Sequence, residues 1–330
     1  MAFDEVLGNS RVKKILRLAL EKERIPNSII FSGPKGVGKM SLALTLAKAI
    51  NCQRMKNDSC EECASCLAIT GRKLPDVWVI EPERQVLQID QMRALRQAAY
   101  LRPMMSRKRV FIIDEAEKMN DAAANCLLKV LEEPPLFSHI ILLTAMPDLI
   151  LPTIKSRCQI LQFTPVGKTD IERVLVEKGY PDERARIISL FVRGNLEEAL
   201  ALDWDEIQEK RREAWDIFLS FLGKKEASTF LKNYSFGKRS MIRDDLERTM
   251  EILASFCRDF ILLKEKGEPS LLLNPDYRKD IEPLTEDWSL DKSRECLNRI
   301  ESVLSGLSKN LNISLLISSF YSLMGETRHA

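Results

Sequence analysis

Apolar residues follow two regimes along this chain. Up to about residue 163 they gather in short solid blocks: Ile29–Phe31, Val77–Ile80, Val110–Ile113, Ile140–Leu143 and Ile160–Phe163. Blocks this short, apolar at nearly every position, are the mark of strands buried on both faces of a parallel sheet. Between them the spacing turns helical, over Gln88–Leu101, which Asp90 is expected to cap, and over Asp121–Leu131, which Pro134-Pro135 stops. Strands alternating with helices predict an α/β domain with a parallel sheet, and ligands of such a sheet sit at the carboxyl ends of its strands.

Beyond Phe163 no block of strand type recurs. Residues 165–202 read as short helices ending in Gly194-Asn195-Leu196-Glu197-Glu198-Ala199-Leu200. From Trp204 onward, apolar residues return at helical spacing over about 204–222, 240–266, 289–308 and 310–324. Pro269, Pro275 and Pro283 mark 267–288 as a long connection.

The link between the first block and the helical stretch carrying Leu42, Leu44, Leu46, Ala47 and Ile50 is Gly33-Pro34-Lys35-Gly36-Val37-Gly38-Lys39-Met40-Ser41. Strand, glycine loop and helix in this order make a phosphate-binding loop: Gly33, Gly36 and Gly38 let the backbone turn tightly enough for N–H groups to cradle phosphates, and Lys39 reaches the outer oxygens. The pattern then wants a Ser or Thr hydroxyl for Mg²⁺, and Met40 has no oxygen to offer. Ser41 is a poor substitute, because one step along a helix turns the side chain by about 100°. The loop is thus suited to holding a nucleotide, weakly, and poorly suited to hydrolysing it.

Composition narrows the class further. The 330 residues allow two or three domains, and 45% hydrophobic with 30% charged residues is ordinary for a globular protein. A formal net charge of +2 gives no global grip on nucleic acid. No apolar run reaches the roughly 18 residues of a membrane span, and the N-terminus lacks a signal-peptide pattern, so a cytoplasmic protein is expected. In that reducing compartment the cluster Cys52, Cys60, Cys63 and Cys66 reads as one structural zinc site rather than a disulfide framework, four unligated thiols being the alternative. Cys126, Cys158, Cys257 and Cys296 are scattered and read as small core residues.

The third block ends in Asp114-Glu115, carboxylates that in nucleotide hydrolases orient a metal and position the attacking water. Further along come Ala123-Ala124-Asn125-Cys126-Leu127-Leu128-Lys129-Val130-Leu131-Glu132-Glu133-Pro134-Pro135 and Ser156-Arg157-Cys158. In this order, after the glycine loop and the cysteine quartet, these segments resemble the bacterial clamp-loader subunits of DNA polymerase III, members of the AAA+ family. The strong motifs cover residues 1–165; the helical remainder is similar mainly in length and in Asn310-Leu311-Asn312.

The resemblance implies a RecA-like AAA+ parallel sheet flanked by helices, with a zinc-binding insertion at 52–66, over residues 1–164. It implies a small helical lid over 165–203 and an all-α collar for oligomerisation over 204–330. Val6-Leu7-Gly8-Asn9 would lie near the adenine, and Thr144, or in another alignment Ala145, beside the γ-phosphate. Glu197 stands where hydrolysing members carry an arginine. With Met40, it implies an ATPase-silent accessory subunit, with Glu115 a vestigial water-positioning acid and no catalysis of its own. Arg157 would act in trans as an arginine finger for a neighbour's ATP. The implied partners are ATP-hydrolysing γ/τ subunits and a δ subunit, with the sliding clamp and primed DNA reached through the assembled complex, and no membrane. Two rival readings are an ATP-hydrolysing γ/τ-type motor and a zinc-bearing nucleic-acid-binding module.

Overall fold

The computed structural model describes residues 2–83, 85–192, 194–225, 239–286, 288–308 and 311–326. Asn310, part of the collar resemblance, lies outside the described residues. The chain divides into a unit spanning Met1–Ala201 and a second spanning Leu202–Ala330.

Each apolar block forms a strand of one parallel sheet: β1 (Ser28–Ser32), β2 (Val77–Ile80), β3 (Arg109–Ile113), β4 (Ser138–Thr144) and β5 (Gln159–Gln162). Their order in the sheet is β2-β3-β4-β1-β5. The two-residue period of a strand sends alternate side chains to opposite faces. Accordingly Ile29, Phe31, Val110, Ile112, Ile141 and Leu143 join a core under α1 (Ser10–Glu21) and α2 (Lys39–Asn51). Ile30, Phe111, Ile113, Ile140 and Leu142 join a separate core that includes Leu95 and Leu127, from α4 (Ile89–Ala99) and α5 (Asp121–Glu132), across the sheet. Every residue of β1, β3 and β4 is buried, which is why no polar residue interrupts those blocks. The edge strand β5 exposes Gln159, Ile160 and Gln162.

The cap of α4 differs from expectation. Gln88 precedes the helix and its N–H donates to Gln91 Oε1 at 2.8 Å, whereas Asp90 lies in the first turn and pairs with Arg93 at 2.9 Å. An acid there still faces the positive end of the helix dipole, so the residue type was informative and its exact role was not. Between α2 and β2 runs the cysteine segment with the short α3 (Ala64–Thr70), and α6 (Pro152–Lys155) precedes β5. After β5 come α7 (Lys168–Glu177), α8 (Asp182–Phe191) and α9 (Leu196–Ala201).

The second unit is helical among its described residues: Trp204–Phe221, Arg239–Lys264, Leu290–Ser308 and Ile313–Glu326, with short turns between the second and third. That connection is not a free loop. Arg211, wholly buried, donates to both carboxylate oxygens of Asp276, at 2.6 and 2.7 Å, and to Asn274 Oδ1 at 3.0 Å. Asp259 accepts the Leu273 and Asn274 N–H groups, so two helices that precede the proline-rich segment clamp it. Cys257 and Cys296 meet in the interior with sulfurs 3.6 Å apart, whereas Cys126 and Cys158 are only half-buried.

Candidate functional site

Loop geometry follows from the glycines. Gly33 (φ +155°) packs so closely on the end of β5 that a Cβ would lie 2.5 Å from the Phe163 carbonyl oxygen. Gly36 (φ +67°) is backed by Asn195, whose side-chain oxygen would be 1.5 Å from a Cβ. No other residue type fits either position without displacing its neighbour. The turn delivers Lys39 as the first residue of α2, where the opening N–H groups have no carbonyl to bond along the helix and face any bound anion. Lys39 Nζ is folded back on the carbonyls of Gly33 and Pro34, both at 2.5 Å. Burial lowers its pKa, against the opposing pull of Glu117, Asp114 and Glu197.

The parallel sheet brings the other elements to the same edge. A cavity of about 170 Å³ is lined by Gly36, Lys39 and Met40 of the loop, Asp114, Glu115 and Glu117 beyond β3, and Thr144 and Ala145 at the end of β4. Lys35 and Glu197 complete it. Gly33 N–H donates to the Thr144 carbonyl at 3.1 Å, joining the loop to β4. Of the residues singled out from the sequence, Gly36, Lys39, Met40, Asp114, Glu115, Thr144, Ala145 and Glu197 therefore share one cavity, while Gly33 and Gly38 shape the loop without lining it. Asn9 holds the loop from behind: its Nδ2 donates to the Val37 and Thr164 carbonyls, and its Oδ1 accepts the Thr164 N–H at 2.8 Å.

Sequence reasoning missed what surrounds Glu115. Its backbone is left-handed (φ 44°), and its carboxylate is clasped by Lys118 at 2.6 Å and Lys35 at 3.2 Å. The Lys118 bond, with Lys35 assisting against burial, holds its pKa below the usual carboxylate value. The i,i+3 spacing of Glu115 and Lys118 was a readable signal; the reach of Lys35 was not. Burial raises the pKa of Asp114, whose Oδ1 accepts the Glu115 N–H. Glu117, also missed, accepts the Ala145 N–H through Oε1, while its Oε2 is buried with no protein partner.

Arg157 does not join this cavity. It lies just past α6, exposed, with its guanidinium held by the Thr153 carbonyl at 2.9 Å and by Glu132 at 2.7 Å. Glu132 ends α5 and belongs to the same Leu-Glu-Glu-Pro-Pro run that stood out in the sequence.

The four sulfurs of Cys52, Cys60, Cys63 and Cys66 lie within 4.8 Å of one another, with Cys60 and Cys66 at 4.0 Å. A tetrahedral zinc with bonds of about 2.3 Å needs sulfurs about 3.8 Å apart, so a small inward relaxation would complete the shell. The Met55 and Cys63 N–H groups each point at a sulfur, at 3.3 Å, which favours thiolates. Burial opposes ionisation of Cys63, yet the N–H groups of Gln53 and Cys66 prevail and set it at about 6, while burial pushes Cys66 up to about 12. The cluster can accommodate a metal such as zinc, whose charge would favour the four thiolates together.

A parallel sheet in the order β2-β3-β4-β1-β5, with a glycine loop after β1, acids after β3 and short helices folded back on the loop, defines an AAA+ nucleotide-binding-type module. A family model described as DNA polymerase III, delta subunit, matches residues 8–167. DNA polymerase III subunit delta′ of Bacillus subtilis is 28% identical over 320 residues, 96% of each chain. The subunit tau of the same organism is 36% identical over 211 residues, which are 61% of this chain and only 37% of that one. A DNA polymerase III gamma subunit-related protein of Thermotoga maritima superposes with a TM-score of 0.48 at 18% identity, covering 96% of this chain and 99% of that one. Along most of its length the chain resembles the clamp-loader subunits of DNA polymerase III. Among the described residues no helix is long and apolar enough to cross a membrane.

Proposed function

We propose that this chain is a δ′-type clamp-loader subunit: an ATPase-silent scaffold that works beside γ/τ-type and δ-type partners, loads the sliding clamp on primed DNA through the assembled complex, and lends Arg157 to a neighbour's site. Residues 1–164 form the AAA+ domain, 165–203 its lid and 204–330 the collar. The observation that carries the reading is the state of Glu115, whose two oxygens are already committed to lysines. A carboxylate so paired is a poor acceptor for the proton of an attacking water, and Met40 offers no metal ligand across the cavity. The match along 96% of a delta′ chain, against 37% of a tau chain, supports the δ′ assignment over the motor. The near-neutral composition weighs against a free-standing nucleic-acid-binding module.

Arg157 suits action in trans. The Thr153 carbonyl fixes the direction of its guanidinium, and Glu132 neutralises it until a phosphate competes for the same N–H groups. The test is hydrolysis by a reconstituted complex in which only the γ/τ-type site adjacent to this chain is competent. Arg157→Ala is expected to lower turnover there by ~10³ or more, and lysine to rescue poorly, lacking the planar fork. Unchanged turnover would reduce Arg157 to a surface ion pair, and robust hydrolysis by the isolated chain, abolished by Lys39→Ala, would return the motor reading.

A further inference from the structure

We propose that the glycine-loop cavity is a nucleoside-diphosphate site that discriminates against the triphosphate, with Glu197 as its specificity-determining residue and no divalent metal required. The inference deepens the silent-subunit reading and rests on it in one respect: a site that does not hydrolyse has no need of the third phosphate.

Charge distribution around the loop is uneven. Behind the cavity lie the N–H groups that open α2 and the Lys39 ammonium, a surface for the inner phosphates. In front, Asp114, Glu115, Glu117 and Glu197 line the same small space, against Lys35 and Lys39 alone among its lining cations. Lys35 is drawn to Glu115, and Lys39 feels the other three acids, so neither ammonium is left over for a further anion. The next phosphate along the chain would meet carboxylates at short range in a partly desolvated space, where like charges repel most strongly. Mg²⁺ ordinarily relieves that repulsion, and Met40 removes one of its ligands.

Glu197 is exposed, but the backbone that carries it is anchored to the loop. The Leu196 N–H donates to the Gly36 carbonyl at 3.1 Å, and Asn195 fills the space against the Gly36 Cα. Asn195 also caps α9, its Oδ1 accepting the Glu198 N–H at 3.0 Å. These contacts seat the first turn of α9 on the loop itself and keep Glu197 at the rim.

The experiment is competition for the full chain, with a fluorescent ADP analogue displaced by ADP or by ATP, with and without Mg²⁺. ADP is expected to bind at least roughly tenfold more tightly than ATP, and adding Mg²⁺ should leave ADP affinity unchanged. Glu197→Arg, checked for folding by circular dichroism, should close or invert the gap, with Glu197→Gln between. Lys39→Ala should weaken both ligands by roughly tenfold or more. Equal binding of ADP and ATP, no binding of either, or a gap untouched by Glu197→Arg would overturn the proposal. Hydrolysis followed in the same samples keeps the two ideas apart: turnover defeats the silent-subunit reading, whereas equal affinities without turnover defeat only this one.

Discussion

The two ends of α2 invite comparison, because one helix of 13 residues, about 20 Å long, connects two sites of opposite character. At its C-terminus Cys52 enters a cluster whose parts satisfy one another: four sulfurs face inward, backbone N–H groups support them, and Lys48 closes the flank on Glu61 at 2.7 Å. At its N-terminus Lys39 borrows carbonyls from its own loop, the opening amides lack helical partners, and carboxylates outnumber lysines. A rivet and a socket thus share one helix. The first is closed on itself, whereas the second leaves polar groups turned toward open space.

The sharpest way to break this contrast is to remove the rivet. Stripping metal with a chelator, or replacing Cys63 by Ser, should cost several kcal/mol, since binding energy at such a site is folding energy. Zinc content of about one per chain and a lowered thermal midpoint would be the readings; a metal-free protein with an unaltered midpoint would mean the thiols merely pack. The same treatment should leave Gly36 and its neighbours in place, because β1, β4 and β5 hold that end independently. Amide exchange of residues 33–41 before and after chelation checks it.

A smaller effect is expected from Lys39→Ala. Loss of charge-assisted bonds to phosphate should weaken diphosphate binding by about 1.5–3 kcal/mol, while freeing the Gly33 and Pro34 carbonyls to water should change thermal stability little. A large fall in stability with unchanged binding would mean that the lysine is a strut and the socket is already full.

The smallest signal lies at the rivet's flank. Burial works against the Glu61 carboxylate, but Lys48 and Ser59 prevail and hold it at about 2, against 4.5 for the free side chain. A depressed folded pKa means that the stabilisation is complete above 4.5 and drains away as pH falls toward 2. Glu61→Gln should flatten that part of the stability profile measured by denaturant titration. A wild-type curve equally flat between those values would mean that the ion pair contributes nothing.

Much of this was legible in the chain, and for a physical reason. Strands buried on both faces are apolar through their centres, so β1, β3 and β4 announced themselves, and the edge strand β5 was readable although three of its four residues are exposed. Cysteine spacing foretold a cluster because the two-residue gaps and short turns bring sulfurs together. What stayed hidden depends on approach in space rather than on order in sequence. Nothing in Lys35 reveals that it reaches Glu115, nothing in Asn195 reveals that it rests on Gly36, and the meeting of Cys257 with Cys296 joins helices far apart in the chain. The segment 267–288 looked like slack because prolines break helices, yet Asp259, on the helix it leaves, and Arg211, on an earlier helix, clamp it.

The seating of α9 on the glycine loop also bears on descent. Met40→Thr alone would regain a hydroxyl for a metal while leaving Glu197 at the mouth to oppose the outer phosphate. Glu197→Arg alone would set a second cation near Lys39 with no metal to organise the phosphates between them. Because Leu196 ties the two segments together through Gly36, neither can shift aside to soften the conflict. A subunit silent in the way proposed would face a valley on the road back to hydrolysis, so such a loss would behave as a ratchet.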